Sequence, residues 1–433
     1  TEHRLMLRLI YTAIFYLALP LYFIRLIIRA VQNPDYLKRW GERLGYGSNL
    51  PTEGKTVLWI HAVSVGEVNA SIPLVRSLLD TYSNSEILVT TSTPTGSKIL
   101  LDKMGARVKH QYVPLDLPAC LNVFLDRWNP KAVIVLETEI WPNILAVCKE
   151  RGIFTALVNA RLSEKSKDKY NLVKPLAAEA LGNLDLLIAQ YDSDADRFKE
   201  INTALKIEVC GNLKFDQQVP EEMHSISSSI RDSWSDGGQR PTLIAASTHE
   251  TEEEFVLDAF LEILGESKDA LLILVPRHPE RFETVFEYIQ NRDLVVARRS
   301  NKDDVTPKTQ VLLGDTMGEL NFLYSVSDVA FVGGSLVDHG GQNLLEPASL
   351  GLPLSSGKSL RNFQEIADEL QESKALFLIE EQKELSDFFI DMISKPKKSA
   401  RIGKASAKVF EKNRGVLIKI NKFLNKHLFK LLS

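Results

Sequence analysis

The chain has 433 residues, 44% hydrophobic and 25% charged, with a formal net charge of −4. That is ordinary globular composition, long enough for two domains, and its weakly acidic balance argues against a nucleic-acid binder. Three cysteines, Cys120, Cys148 and Cys210, lie far apart and are odd in number, which argues against a disulfide framework and for a reducing compartment. The eight histidines show no zinc-ligand spacing, so no structural metal site is expected.

Charge is uneven along the chain. Residues 1–50 hold seven Lys or Arg (Arg4, Arg8, Arg25, Arg29, Lys38, Arg39, Arg43) against three acids. Between these cations, Leu9 to Ile24 is nearly all apolar. A spanning helix wants about 20 apolar residues, and the run reaches that length only if the flanking arginines snorkel. No small-residue cleavage site follows, which disfavours a signal peptide. A membrane segment, spanning or interfacial, is expected, with the body on the cytoplasmic side because positive charge follows the segment. Lys38, Arg39 and Arg43 are candidates for anionic lipid. The alternative is a buried helix of a soluble domain.

From Val57 onward, short apolar runs alternate with helical patterns. Strands are predicted at 57–61, 86–90, 108–113, 132–137, 154–159, 186–190 and 207–211. A polar stretch, Phe215 to Arg240, holds the expected linker near its start. A second series follows at 242–247, 271–276, 294–299, 310–315 and 329–334. Near-continuous apolar runs suit parallel strands covered on both faces, so the class is α/β with two doubly wound units. The expected boundaries are a membrane anchor at 1–32, an N-terminal unit at 33–215, a nucleotide unit at 216–395 and a helical tail at 396–433.

Chemistry-bearing residues recur at predicted strand ends. Ser64-Val65-Gly66-Glu67 reads as a capping box, yet its place after the first body strand also suits a general base. Glu137 and Glu139, with Trp141 and Pro142, follow the fourth strand. Ser247-Thr248-His249-Glu250 precedes Glu252, Glu253 and Glu254, which suit a first helical turn. Arg277, after Pro276, is a candidate phosphate ligand, with a surface ion pair as the alternative. Thr316-Met317-Gly318-Glu319 is a second T-x-x-E box; its glycine would let backbone meet a base edge. Gly333-Gly334 and Gly340-Gly341 flank a loop that enters a helix at Asn343-Leu344-Leu345-Glu346, where amides could meet a phosphate and Glu346 a ribose. No P-loop or G-x-S-x-G motif is present.

The runs HAVSVGE, LETEIWPN, NARLSEKS, GNLKFD, STHE, PRHPERF, FVGGSLVDHGGQNLLEPASLGLP and NFQEI occur in one order. Together they resemble the 3-deoxy-D-manno-octulosonic acid (Kdo) transferases of lipopolysaccharide synthesis. The resemblance implies a GT-B fold, two Rossmann-like domains facing a central cleft, and an inverting glycosyltransferase. It implies transfer of Kdo from CMP-Kdo to a lipid A precursor, lipid IVA, at the cytoplasmic face of the inner membrane, with no metal or other cofactor. It assigns Glu67 as catalytic base and Glu137 and Lys214 as support for the transition state. Pro276, Arg277, Met317, Gly318, Glu319, Asn343, Leu344, Leu345 and Glu346 fall to the CMP site. Departures are Gln342 in place of the imidazole of the common GGHN, Thr251 in place of the Gly usual after STHE, and Gly357 to Phe363 in place of GPHxxNF. Competing readings are another GT-B enzyme using a UDP-sugar, separable by CMP-versus-UDP competition, and a catalytically silent nucleotide-binding membrane protein.

Overall fold

The computed structural model describes residues 2–31, 33–47, 50–216, 229–235 and 240–432. The chain divides into two compact units, 1–217 with 415–433, and 218–414. The linker expected near Phe215 falls largely on 217–228, outside the described residues.

In the first unit the strands are β1 (Thr56–His61), β2 (Ser85–Thr91), β3 (Lys109–Tyr112), β4 (Ala132–Leu136), β5 (Phe154–Ala160), β6 (Leu186–Ala189) and β7 (Ile207–Val209). They form one parallel sheet in the order β3-β2-β1-β4-β5-β6-β7. Their apolar side chains fill both faces: Leu58, Ile60, Ile134 and Val158 on one, Trp59, Val133, Val135 and Leu157 on the other. The order reverses between β1 and β4, so the loops leaving their carboxyl ends part and open a crevice.

The second unit repeats the plan with β8 (Thr242–Thr248), β9 (Leu271–Pro276), β10 (Val296–Arg298), β11 (Val311–Leu313), β12 (Val329–Val332), β13 (Leu354–Ser356) and β14 (Leu376–Leu378). The order is β10-β11-β9-β8-β12-β13-β14, with its reversal between β8 and β12. The twelve predicted strands are all present. β13 and β14 are not among the predicted strands; β13 reads Leu-Ser-Ser and offers no apolar run. Its buried hydroxyls are satisfied by β12: Ser355 Oγ donates to Ala330 O (3.2 Å) and Ser356 Oγ to Val332 O (3.0 Å).

The segment 396–433 does not form one tail. The helix Pro396–Lys412 lies in the second unit, whereas Val416–Leu432 lies in the first. Val416, Ile420, Leu424 and Leu428 recur every fourth residue, so they share one helix face, and that face is buried in the first unit's core. Asn421 Nδ2 donates to Ser77 Oγ (2.7 Å) and Tyr82 Oη donates to Asn425 Oδ1 (2.7 Å), fixing the register.

The N-terminal helix, Glu2–Ala30, docks along the first unit. Phe15, Leu19 and Tyr22 pack on Leu115, Leu117 and Cys120. Polar contacts extend the docking: Arg8 pairs with Glu150 (2.7 Å), Thr12 Oγ1 meets Asn143 Oδ1 (3.2 Å), and Tyr11 Oη donates to Asp116 Oδ2 (2.9 Å). Asp116 is buried and also accepts the backbone N–H groups of Asn143 (3.2 Å) and Ile144 (2.7 Å), capping the helix Pro142–Glu150 from a distance. Burial pushes its carboxyl up to about 6, against these donors. The opposite face of the helix exposes Ile10, Ile14, Leu17, Leu21, Ile24 and Ile28.

Asp116→Ala would leave two buried amides unpaired, at a cost of about 1–3 kcal/mol each. The expected outcome is a lowered urea midpoint and lost exchange protection at Asn143 and Ile144. Tyr11→Phe should keep that protection; protection lost equally in both variants would refute the capping role.

Candidate functional site

Each unit gathers its chemistry where its strand order reverses. In the first, β1 ends at His61 and turns through Ala62–Ser64 into the helix Val65–Thr81. Ser64 Oγ accepts from Glu67 N–H (3.3 Å) and donates to Glu67 Oε1 (2.9 Å), while Val63 N–H donates to Oε2 (2.8 Å). Ser64 therefore caps the helix as the spacing predicts, but Glu67 reaches back to the Val63 N–H rather than to the N-cap N–H of a capping box, and these bonds hold it in one orientation. Burial raises the Glu67 carboxyl to about 7; the Val63 amide opposes the rise, and the charges of Glu137 and Glu139 add to it.

Those two acids follow β4. Glu137 has φ 58°, a left-handed conformation that costs energy for a residue with a Cβ and marks the strand end as constrained. Its Oε1 lies 3.7 Å from Lys214 Nζ. Lys214 is set by the turn before it: Asn159 Oδ1 accepts Leu213 N–H (2.9 Å) and Asn212 Oδ1 accepts Lys214 N–H (3.0 Å). Glu139 accepts from Trp141 Nε1 (2.8 Å), and burial raises its carboxyl. His61 is fully buried, and burial lowers it to about 4, so it is a neutral imidazole near pH 7. Glu67, Glu137 and Lys214 thus share one end of one sheet, with Glu139 and Trp141 beside them.

In the second unit the organising group is Glu252, read from the sequence only as a first-turn acid. It is completely buried. Oε2 accepts His249 N–H (2.9 Å) and Gly334 N–H (2.7 Å); Oε1 accepts Ser335 N–H (3.0 Å) and Leu336 N–H (2.9 Å). One carboxylate therefore ties the loop after β8 to the glycine loop after β12. Gly333 is required by this approach, since a Cβ there would stand 2.8 Å from Glu252 Oε2 and from Ser247 O. Thr251, immediately before the helix Glu252–Glu266, has φ 76°, an outlier for a β-branched residue.

The predicted donor residues surround this loop. Pro276 ends β9, and Arg277 follows with its backbone N–H on Thr248 O (2.9 Å) and its side chain exposed. Among the described residues Arg277 forms no ion pair; the surface-pair alternative is not realised. Asn343 Nδ2 donates to Glu346 Oε1 (3.0 Å), and Asn343 Oδ1 accepts Leu345 N–H (3.0 Å). Burial raises the Glu346 carboxyl, while the Asn343 donor and the Arg277 charge lower it. Leu344 and Leu345 are buried and position the turn. The helix they start, Leu345–Ser349, has five residues, so its dipole is weaker than the sequence suggested. Met317 is exposed and Gly318 has φ 86°. Glu319 is held low first by Arg299 (2.8 Å) and then by the Thr316 hydroxyl. The helix there starts at Leu320 with Glu319 at its cap position and no side-chain cap, so this T-x-x-E is not a capping box.

A histidine group is not legible in the spacing along the chain. His249 stacks on His339 (centroids 4.4 Å apart) and meets the edge of His278 (5.1 Å). Gln342 Nε2 lies 3.3 Å from His249 Nε2, so the amide standing where an imidazole was expected still reaches this group.

Two parallel seven-stranded sheets, each with candidate residues at the carboxyl ends of its strands, make a GT-B fold. The fold is shared with a glycosyltransferase from Rickettsia africae (TM-score 0.57, 14% identity, covering 87% of this chain and 99% of that one) and with MurG from Acinetobacter baumannii (0.55, 9%, 86% and 99%). The family model described as 3-deoxy-D-manno-octulosonic-acid transferase (kdotransferase) matches residues 38–217. The 3-deoxy-D-manno-octulosonic acid transferase of Haemophilus influenzae is 37% identical over 425 residues, 98% of this chain and 99% of that protein. That of Bordetella pertussis is 32% identical over 83% of this chain and 85% of its own. The chain belongs to the Kdo transferase family and is a glycosyltransferase that transfers Kdo.

Two substitutions test the loop architecture. Glu252→Gln turns an amide N–H₂ toward backbone donors and should cost about 3 kcal/mol or more, read as a lower urea midpoint with weakened CMP binding; an unchanged midpoint would refute the clamp. Thr251→Gly removes the steric cost of a positive φ and should stabilise by roughly 1 kcal/mol after the glycine entropy penalty. A fall in melting temperature would show that Thr251 is not strained.

Proposed function

We propose that the chain transfers Kdo from CMP-Kdo to a hydroxyl of a lipid A precursor, lipid IVA, with Glu67 as general base. The observation that carries this reading is the carboxylate of Glu67. It is buried, held by Ser64 and Val63, and pushed to about 7, where a base can both take and return a proton. The acceptor hydroxyl gives its proton to Glu67 as its oxygen bonds to the anomeric carbon of Kdo. The bond from that carbon to the CMP phosphate oxygen breaks, and CMP departs with the electron pair. Attack opposite the leaving group inverts the centre.

Positive charge develops on the sugar. Glu137, fixed by its backbone and by Lys214, supplies a nearby carboxylate to offset it. Charge on the departing phosphate falls to Arg277, and Glu346 accepts from a ribose hydroxyl. The turn at Met317-Gly318-Glu319 offers backbone to the base. The reaction drawn in this way needs no metal, and turnover is expected to survive EDTA.

The N-terminal helix fits a membrane anchor: Met6–Ala30 is long and apolar enough to cross a bilayer. Its docking on the first unit from Arg8 to Tyr22, with the apolar stripe turned outward, supports a helix lying in the interface. Cytoplasmic attachment to the inner membrane completes the proposal. Lys38 pairs with Asp35 (2.8 Å), Arg39 is engaged by Glu42 (2.8 Å) and Arg43 is buried, so these three do not form the free lipid-facing surface expected from the sequence.

Incubation with CMP-Kdo and the lipid A precursor should give a product heavier by one Kdo residue or more by mass spectrometry. Glu67→Gln keeps the shape and should lower kcat roughly 100-fold or more with CMP affinity unchanged. Because the base works ionised, wild-type kcat/KM should rise with pH through about 7. The sign for stability is opposite. A carboxyl raised in the folded state favours the protonated form, so its ionisation costs stability as pH rises from the unfolded value to about 7. A flat rate profile across neutral pH, or near-normal turnover in the variant, would remove Glu67 as the base.

A further inference from the structure

A pocket of about 250 Å³ lies between the N-terminal helix and the first unit. The helix supplies Phe15, Tyr22, Arg25 and Arg29 to its wall; the body supplies Arg43, Val63 and Trp141 among others. Val63 and Trp141 also belong to the catalytic end of the sheet. The first donates its N–H to Glu67 and the second its indole N–H to Glu139. The pocket therefore shares walls with the proposed base.

Its charge is unbalanced. Among the described residues none of Arg25, Arg29 and Arg43 is ion-paired. Arg25 and Arg29 are exposed. Arg43 is 2% exposed. Its Nη1 donates to Tyr22 Oη (3.1 Å) and its Nη2 to Ser92 O (3.0 Å), and its plane lies over the Tyr112 ring (4.3 Å). Nε has no partner. A buried guanidinium without a carboxylate is costly unless an anion visits it. Beside these cations run the exposed apolar residues Leu17, Leu21, Ile24 and Ile28 of the same helix. Clustered guanidinium groups beside an apolar stripe match a phosphorylated, acylated amphiphile: arginine forks for phosphate, helix face for acyl chains.

We infer that the N-terminal helix is a wall of the acceptor site, with Arg25 and Arg29 binding an anionic headgroup of the acceptor and buried Arg43 adding its charge at the pocket wall, beside Val63 and Trp141. The helix is then more than a tether. Arg25 and Arg29 act as positioning residues for the acceptor, and their effect persists without a bilayer. This inference rests on the lipid acceptor proposed above.

The test uses the full-length protein in nonionic detergent micelles, with CMP-Kdo and the lipid A precursor as substrates. Arg25→Ala/Arg29→Ala should raise the acceptor KM by about tenfold or more, leaving kcat and CMP affinity unchanged. Arg25→Lys/Arg29→Lys keeps the charge and should recover most of the affinity. In parallel, sedimentation with phosphatidylcholine vesicles, with and without phosphatidylglycerol, reports bilayer headgroup binding. An unchanged acceptor KM overturns the inference. So does an unchanged KM joined to lost phosphatidylglycerol dependence, which would assign the arginines to the bilayer. Absent wild-type turnover is a different failure: it sinks the acceptor reading itself and this inference with it.

Discussion

One fully buried carboxylate organises the second unit. Parallel strands end by releasing backbone N–H groups into loops, and those donors need partners away from water. Glu252 collects four of them, from His249 and from Gly334, Ser335 and Leu336. Because one group serves both the loop after β8 and the loop after β12, neither can move without the other. Gly333 allows the approach, and Arg277 and the turn at Asn343 are held relative to that frame. Asp116 does the same work in the first unit, joining the N-terminal helix to the start of Pro142–Glu150.

Glu67 shows how a capping group acquires a raised pKa. A capping carboxylate at a surface helix start stays ionised at neutral pH. Here burial and two neighbouring acids oppose the ionised form, while Ser64 and Val63 prevent the side chain from turning away. The donors that satisfy the helix end also orient the carboxylate, and the burial that raises its pKa is the cost of placing it there.

The N-terminal helix carries two faces with different solvents. One is matched to protein by Tyr11, Thr12, Phe15 and Tyr22, and the other is an unbroken apolar stripe. A helix that only crossed lipid would have no use for a tyrosine hydroxyl aimed at a buried aspartate. That contact ties the apolar segment to the same unit that holds Glu67.

Much of this was legible in sequence. Apolar runs too continuous for half-exposed strands specified parallel sheets, because only burial on both faces tolerates them. Ordered motifs at strand ends specified the family. What tertiary structure decided were the properties that depend on neighbours distant in the chain. β13 was invisible because its serines are satisfied only by carbonyls of β12. Glu252 looked like a first-turn acid because three of its four partners lie more than eighty residues away. The tail's last helix joined the first unit because its apolar face matches that core. Arg43, basic in any sequence reading, turned inward onto Tyr112. Local pattern fixes which groups a segment owns. Burial and the partners that share it decide what those groups do.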